Sequence, residues 1–395
     1  MEMHSDSKGK MSRRVFLRGA GVALGLAACG GVWRAEEQGV FAVGEGAAFA
    51  PWVEWPARGT GPQVLVAAAI LAANAHNTQP WRFRVRDQRI DLLADTTRDI
   101  GTIDPFARER DIGLGCALEN LLLAARARGY TYQLSLAPDT ADRTLAARVQ
   151  LAPGGADVSP LYAAIPHRRT NRFAYDTVRP VAQATLDALG QLGADDPDVT
   201  LTWFASEGQR ASLGGLLVEA ARAINDDAMQ SYDNGERWTR LGQEAIERYR
   251  DGLTLDTMGL EPLTLFAAKL LPSPSSGDSA STWLDTEINQ TKTAAAFGII
   301  VIRDYSDLAR RLRAGRLWQR LHLWMTDAGL AAQPLNQLHE RADRETQLGL
   351  VPRFSDALAQ LVGDPTRRGL FTFRLGYPTI TPPPSPRRAS AEVII

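Results

Sequence analysis

Two spacings of apolar residues alternate along this chain. From Pro62 to Asn74 the residues are almost all Ala, Leu, Val or Ile, which predicts a buried helix. Phe83–Val85 and Ile90–Leu93 then alternate around Asp87-Gln88, as the two arms of a hairpin do. Asp104-Pro105 opens a long helix to about Arg128, stopped by Gly129. Its centre, Ala117–Ala125, is apolar nearly all round, so this helix is expected inside the protein. Later stretches predict a helix over Val181–Leu192, a strand over Val199–Phe204 and a helix over Gln209–Ile224. Residues 225–272 form a charged and then apolar helical insertion carrying Tyr232, Trp238 and Tyr249. Ser273–Ser279 is a turn-rich link. A strand at Phe297–Ile302, a helix ending at Gly329 and a strand at Phe371–Leu375 follow. The chain closes with a polyproline-like arm, Thr381–Pro386, leading to Arg387-Arg388. Helices and strands in alternation predict an α+β or α/β protein.

A faint internal repeat runs through this pattern. Gly115–Gly129 and Gly315–Gly329 share their spacing, with Leu121 matching Leu321, Leu123 matching Leu323, and Leu118 standing where Trp318 stands. Two related halves are one reading, and two unrelated buried helices are the other. The second half would begin near Asp157.

Composition narrows the class. A chain of 395 residues with 45% hydrophobic and 23% charged residues can build two ordinary domains. Its net charge of −1 argues against a nucleic-acid partner. Cys29 and Cys116 are the two cysteines, so no disulfide framework is expected. The histidines are scattered, with no His-Glu-x-x-His pair, and no metal site is expected. Cys116 falls in the apolar helix, where an inert core thiol is expected.

The first residues read as an address. Ser12-Arg13-Arg14-Val15-Phe16-Leu17-Arg18 resembles a twin-arginine export signal, and the Gly/Ala-rich run Gly19–Ala28 is too short to span a bilayer. Leu26-Ala27-Ala28-Cys29 resembles a lipobox, in which Cys29 would be lipidated; an ordinary cleavable signal with a chance cysteine is the alternative. Residues 1–29 are therefore expected to be a signal. The mature protein is expected outside the cytoplasm after passage through the twin-arginine translocase, with Cys29 as a possible lipid anchor.

Two segments carry candidate chemistry. Arg168, Arg169, Thr170 and Arg172 lie within five residues, a set that suits a phosphate or a solvated basic turn. Arg387 and Arg388 could join it, or could be an exposed tail. In Asn74-Ala75-His76-Asn77-Thr78-Gln79-Pro80-Trp81, Pro80 biases Gln79 toward an extended backbone and Trp81 offers an anchor. Short polar groups are thereby held on a stiff turn, suited to the rim of a planar polar ring.

Together these segments, with Asp95, Arg98 and Asp104-Pro105 between them, resemble the FMN-dependent nitroreductase family in its Acg-type branch. The resemblance implies a nitroreductase-like α+β fold in which two fused, diverged halves, 30–156 and 157–395, form a pseudo-dimer. It implies one FMN, with Asn74, Ala75 and Asn77 at the flavin and Arg168, Arg169, Thr170, Arg172 and Arg388 at its phosphate. Asn74 departs from the family's usual serine. Residues 41–62 hold a lone Arg58 where a second arginine cluster would stand, and residues 195–210 lack a second Gln-Pro-Trp turn. One complete site per chain is expected. The implied activity passes electrons from a donor such as NAD(P)H to nitro compounds, quinones or similar small acceptors, with no catalytic side chain assigned. The alternative is a flavin-sequestering protein with little turnover, covered by the 225–272 insertion.

Overall fold

The computed structural model describes residues 28–56, 59–271 and 276–395. Its helices of seven residues or more are α1 (Ala28–Glu37), α2 (Gln63–Ala69), α3 (Arg108–Ala127), α4 (Gln183–Gln191), α5 (Glu207–Asp226) and α6 (Ala228–Asn234). They continue as α7 (Gln243–Tyr249), α8 (Pro262–Leu270), α9 (Ser276–Lys292), α10 (Leu308–Asp327), α11 (Gln337–Leu348) and α12 (Arg353–Val362). Four strands of the first half, β1 (Trp81–Arg86), β2 (Arg89–Ala94), β3 (Tyr130–Leu136) and β4 (Leu145–Pro153), form an antiparallel sheet in the order β1-β2-β4-β3. In the second half β5 (Val199–Phe204), the short parallel pair β6 (Thr239–Arg240) and β7 (Leu253–Thr254), then β8 (Ala296–Ile302), β9 (Ala331–Pro334) and β10 (Arg368–Gly376) follow. Its antiparallel sheet runs β5-β8-β10-β9.

Each sheet follows from its alternation. In β1, Trp81 and Phe83 are fully buried while Arg82 points outward, and Arg86 pairs with Arg89 across the expected Asp87-Gln88 turn. All of β8 is buried, which is why its sequence is an unbroken apolar run.

The halves meet along α3 and α10. A Cβ on Gly115 would stand 2.3 Å from the Leu312 carbonyl oxygen, and one on Gly315 would stand 2.2 Å from the Ile112 carbonyl oxygen. Seen from either helix the contact is the same, so residues 112 and 115 meet 315 and 312 about a local twofold. Glycine at both crossing points lets the backbones touch. The crossing is flanked by Gln319 Nε2 donating to Asn120 Oδ1 at 2.8 Å and by Arg316 paired with Glu119 at 2.7 Å. The repeat seen in the sequence is this helix pair, and the fold is a duplicated α+β arrangement.

Several expectations need correction. The apolar run from Pro62 is helical only to Ala69, and residues 70–74 uncoil to deliver the following turn. The long helix starts at Arg108; Asp104 lies before it and its carboxylate accepts the Glu109 and Arg110 amides, both at 3.0 Å. Within the expected link Ser273–Ser279, residues 273–275 lie outside the described residues and Ser276–Ser279 form the first turn of α9. The signal segment lies outside the described residues up to Ala27; Ala28 and Cys29 begin α1.

The C-terminus crosses back to the first half. Ile394 bridges to Phe83 in parallel, and the Ile395 amide donates to the Phe83 carbonyl at 2.8 Å, extending the first sheet beyond β1. This crossing carries Arg387 and Arg388 to the Asn74–Trp81 turn.

Candidate functional site

The turn is strained and heavily tied. His76, Asn77 and Gln79 have φ of 47°, 54° and 54°, left-handed values that cost roughly 1–3 kcal/mol each for such residues. The expected extended backbone at Gln79 is therefore corrected. Hydrogen bonds from three directions hold the alternative: the Gln79 amide donates to Asn74 Oδ1 at 2.7 Å, Gln79 Nε2 donates to the Arg250 carbonyl at 2.8 Å, and Gln79 Oε1 accepts from the Arg388 amide at 2.9 Å. Trp81, fully buried, anchors the end.

The arginine motif grows from the edge of the other sheet. Thr170 bridges in parallel to Ala332 beside β9, and the Asn171 amide donates to the Ala332 carbonyl at 3.1 Å. Arg168, Arg169 and Arg387 gather around the Trp52 ring, with guanidinium carbons 5.9, 4.2 and 4.9 Å from its centre. Among the described residues no carboxylate pairs with any of the three. Arg168 donates one weak bond, from Nη2 to the Leu71 carbonyl at 3.4 Å, while its Nε and Nη1 and the Nε of Arg387 are buried without partners. Burial, then the neighbouring Arg172, pushes Arg168 down to about 10, and burial, then Arg168, pushes Arg169 down to about 9. Arg387 is lowered by burial and by Arg168 and Arg169 together. A guanidinium surrenders its proton very reluctantly, so the cluster's uncompensated charge calls for an anion.

Arg388 stands elsewhere. Its side chain bonds the carbonyls of Gln79 and Trp81, and burial together with nearby Arg98 lowers it to about 10. The structure thus brings Arg387, rather than Arg388, to the other arginines. Asn77 also turns away from open space: its Nδ2 donates to the Gly252 and Pro386 carbonyls at 3.1 and 2.9 Å, and its Oδ1 accepts from Arg387. It ties the insertion and the C-terminal arm to the turn.

Next to this cluster lies a cavity of about 130 Å³. Asn74, Ala75, Thr170 and Arg172 line it, so the two motifs meet across it from opposite halves. Trp318 and Phe371 are apolar contributors, their rings 5.0 Å apart. The remaining wall carries Glu109, Glu287 and Glu340. Burial raises Glu287 to about 7 against the pull of Arg374 and Arg172. Burial and then Glu109 raise Glu340 well above the usual carboxylate range, and the two carboxyls hydrogen-bond to each other. Part of the insertion borders the same space: Asn234 and Leu253 line it, and His76, kept neutral by burial, bonds the Asn234 carbonyl through Nε2 at 3.0 Å. Cys116 also lines the cavity, but burial raises its thiol beyond reach of ionisation and Sγ donates to the Gly315 carbonyl.

Trp52, Arg387's place in the cluster and the three glutamates are what sequence reasoning missed. Trp52 sits in a segment with no periodic pattern, and the glutamates are scattered over three helices with nothing to mark them.

Comparison with known proteins follows the same lines. No family model matches the chain. At 27% identity over 84% of its length it is similar to the protein named "Putative NAD(P)H nitroreductase Rv3131" of Mycobacterium tuberculosis, 90% of which is covered. It is 26% identical, over 83% of its length, to "Putative NAD(P)H nitroreductase acg" of the same species, 93% of which is covered. Among solved structures it is similar to the FMN-dependent nitroreductase NfnB from Mycobacterium smegmatis in complex with NADPH, at 19% identity and a TM-score of 0.37 over 59% of this chain and 96% of that one. A nitroreductase with bound FMN from Bacteroides fragilis gives 17% identity and a TM-score of 0.32, over 55% of this chain and 88% of that one.

Proposed function

We propose that this protein is an FMN-dependent oxidoreductase that reduces small acceptors such as nitro compounds or quinones. The observation that carries the reading is the arginine cluster: two buried guanidinium groups and the half-buried Arg169 share one tryptophan face, no carboxylate among the described residues answers them, and buried donors of Arg168 and Arg387 are left over. A phosphate monoester fits that need, since it accepts several charge-assisted bonds at once. Arg168, Arg169 and Arg387 would hold it, Thr170 and Arg172 would line the way in, and Asn74 and Ala75 would meet the ring. Asn77 and Arg388 would act by fixing the turn. Bound there, the flavin supplies hydride chemistry that no side chain of the protein offers. The names of the two mycobacterial relatives support a reduced nicotinamide as donor. The test is to load the purified protein with FMN and add NADPH or NADH without oxygen. Loss of the visible flavin absorption, restored by a quinone or nitroarene, is expected. Failure to take up FMN would sink the proposal.

A second reading, flavin sequestration, is favoured by one observation. The insertion is bonded to the turn through Asn234, Arg250 and Gly252 and lines the cavity with Asn234 and Leu253, so under this reading it would cover the bound ring. Under this reading the loaded protein stays oxidised when the nicotinamide is added. We further infer export through Arg13-Arg14 and lipidation at Cys29. Arg13→Lys with Arg14→Lys should leave the protein in the cytoplasm, and Cys29→Ala should abolish incorporation of labelled fatty acid; unchanged fractionation and labelling would refute each.

A further inference from the structure

The cavity has a second chemical character, on the wall that carries the glutamates. Glu287 and Trp283 lie one turn apart on α9, and Gln337 and Glu340 one turn apart on α11, so each pair shares a helix face. All four line the cavity, and Glu287, Gln337 and Glu340 are at most 7% exposed. Glu109, on α3, adds a third carboxyl, whose partner Arg108 is divided between Glu109 at 3.1 Å and Asp343 at 2.9 Å. Among the described residues neither Glu287 nor Glu340 has an ion pair. Gln337 donates to Glu287 and leaves its own Oε1 buried with no partner. The wall is therefore made of oxygen acceptors beside one indole, with an unmet acceptor among them. Its natural complement brings donors and positive charge.

We propose that Glu287, Glu340 and Gln337 Oε1, with the Trp283 ring, form a subsite for an aromatic organic cation, an ammonium or pyridinium, within the cavity. This deepens the flavoenzyme reading by naming the class of small molecule that would meet the cofactor. Burial outweighs Arg374 and Arg172 at Glu287 and Arg108 at Glu340, so both carboxyls stay above their ordinary range.

Calorimetric titration with benzylammonium, benzyl alcohol and phenylacetate tests this, using the FMN-loaded and the FMN-free protein. The cation should bind at least about tenfold tighter than either the neutral or the anionic probe in both forms. Glu287→Gln and Glu340→Gln, which keep shape and remove charge, should each cost the cation about tenfold while melting no lower than the parent. Equal affinity for all three probes would overturn the proposal. So would parent-like cation binding by both glutamine variants, or loss of cation binding when FMN is loaded. A protein that refuses FMN yet binds the cation through these glutamates would refute the flavin reading and leave the subsite standing.

Discussion

At the scale of single residues, the site is built from groups placed against their own solvation. Arg168 is the clearest case, a buried guanidinium with two nitrogens unbonded and, among the described residues, no counter-charge. Leaving such donors unmet costs about 1–3 kcal/mol. Arg168→Met, similar in length and uncharged, should therefore raise the melting temperature of the FMN-free protein and weaken FMN binding by at least about tenfold. Melting curves with and without FMN check both signs, and a variant destabilised in both states would argue for a structural arginine. Glu287 makes the opposite kind of statement. Its folded value is raised from 4.5 to about 7, so between those pH values the unfolded chain ionises this group while the folded protein keeps the proton. Stability from this group is intact below pH 4.5 and lost as pH rises, by about 3 kcal/mol once pH exceeds 7. Glu287→Gln should melt with the parent at pH 4 and above it at pH 8. The same shift at both pH values would contradict the assignment. The residues legible in sequence were Asn74, Ala75, Thr170 and Arg172, which do line the cavity. Nothing local marks Glu287 or Glu340, because a glutamate on a helix is ordinarily a solvated one.

At the scale of elements, strands and crossing glycines were readable while polar helices were not. The strand expected at Val199–Phe204 is β5 to the residue, since apolar alternation between turn signals has few other solutions. The 115/315 repeat was legible because close helix crossing demands a small residue at a fixed place on both partners. By contrast α11 reads QLHERADRETQL, a sequence that looks solvent-exposed, yet residues Gln337–Glu345 are buried. Its charges are met by distant partners: Asp343 by Arg108 at 2.9 Å and Arg344 by Asp227 at 2.8 Å, while Glu345 accepts the Phe354 and Ser355 amides that open α12. For Asp343 and Arg344 the partners lie more than a hundred residues away and leave no periodic trace. The crossing itself can be tested. Gly115→Ala drives a Cβ to 2.3 Å from a backbone carbonyl that cannot move alone, and should cost at least about 1–3 kcal/mol. Gly215→Ala, on exposed α5 with nothing within 4 Å, should gain up to about 1 kcal/mol. Denaturant midpoints compare the two, and a tolerated alanine at position 115 would mean the helices do not meet there.

At the scale of the whole molecule, the candidate site is composite. The turn at Asn74–Trp81 leads into the first sheet, and the arginine motif is stitched to the edge of the second at Ala332. The C-terminal arm, although part of the second half, ends on Phe83 of the first and brings Arg387 with it. Each half thus supplies what the other lacks, and the cavity exists only where they join. The most direct measurement is a calorimetric titration of the FMN-free protein with FMN. One FMN per chain is expected, with binding weakened at least about tenfold in Arg168→Met. Two FMN per chain, none, or parent-like binding by Arg168→Met would contradict the account.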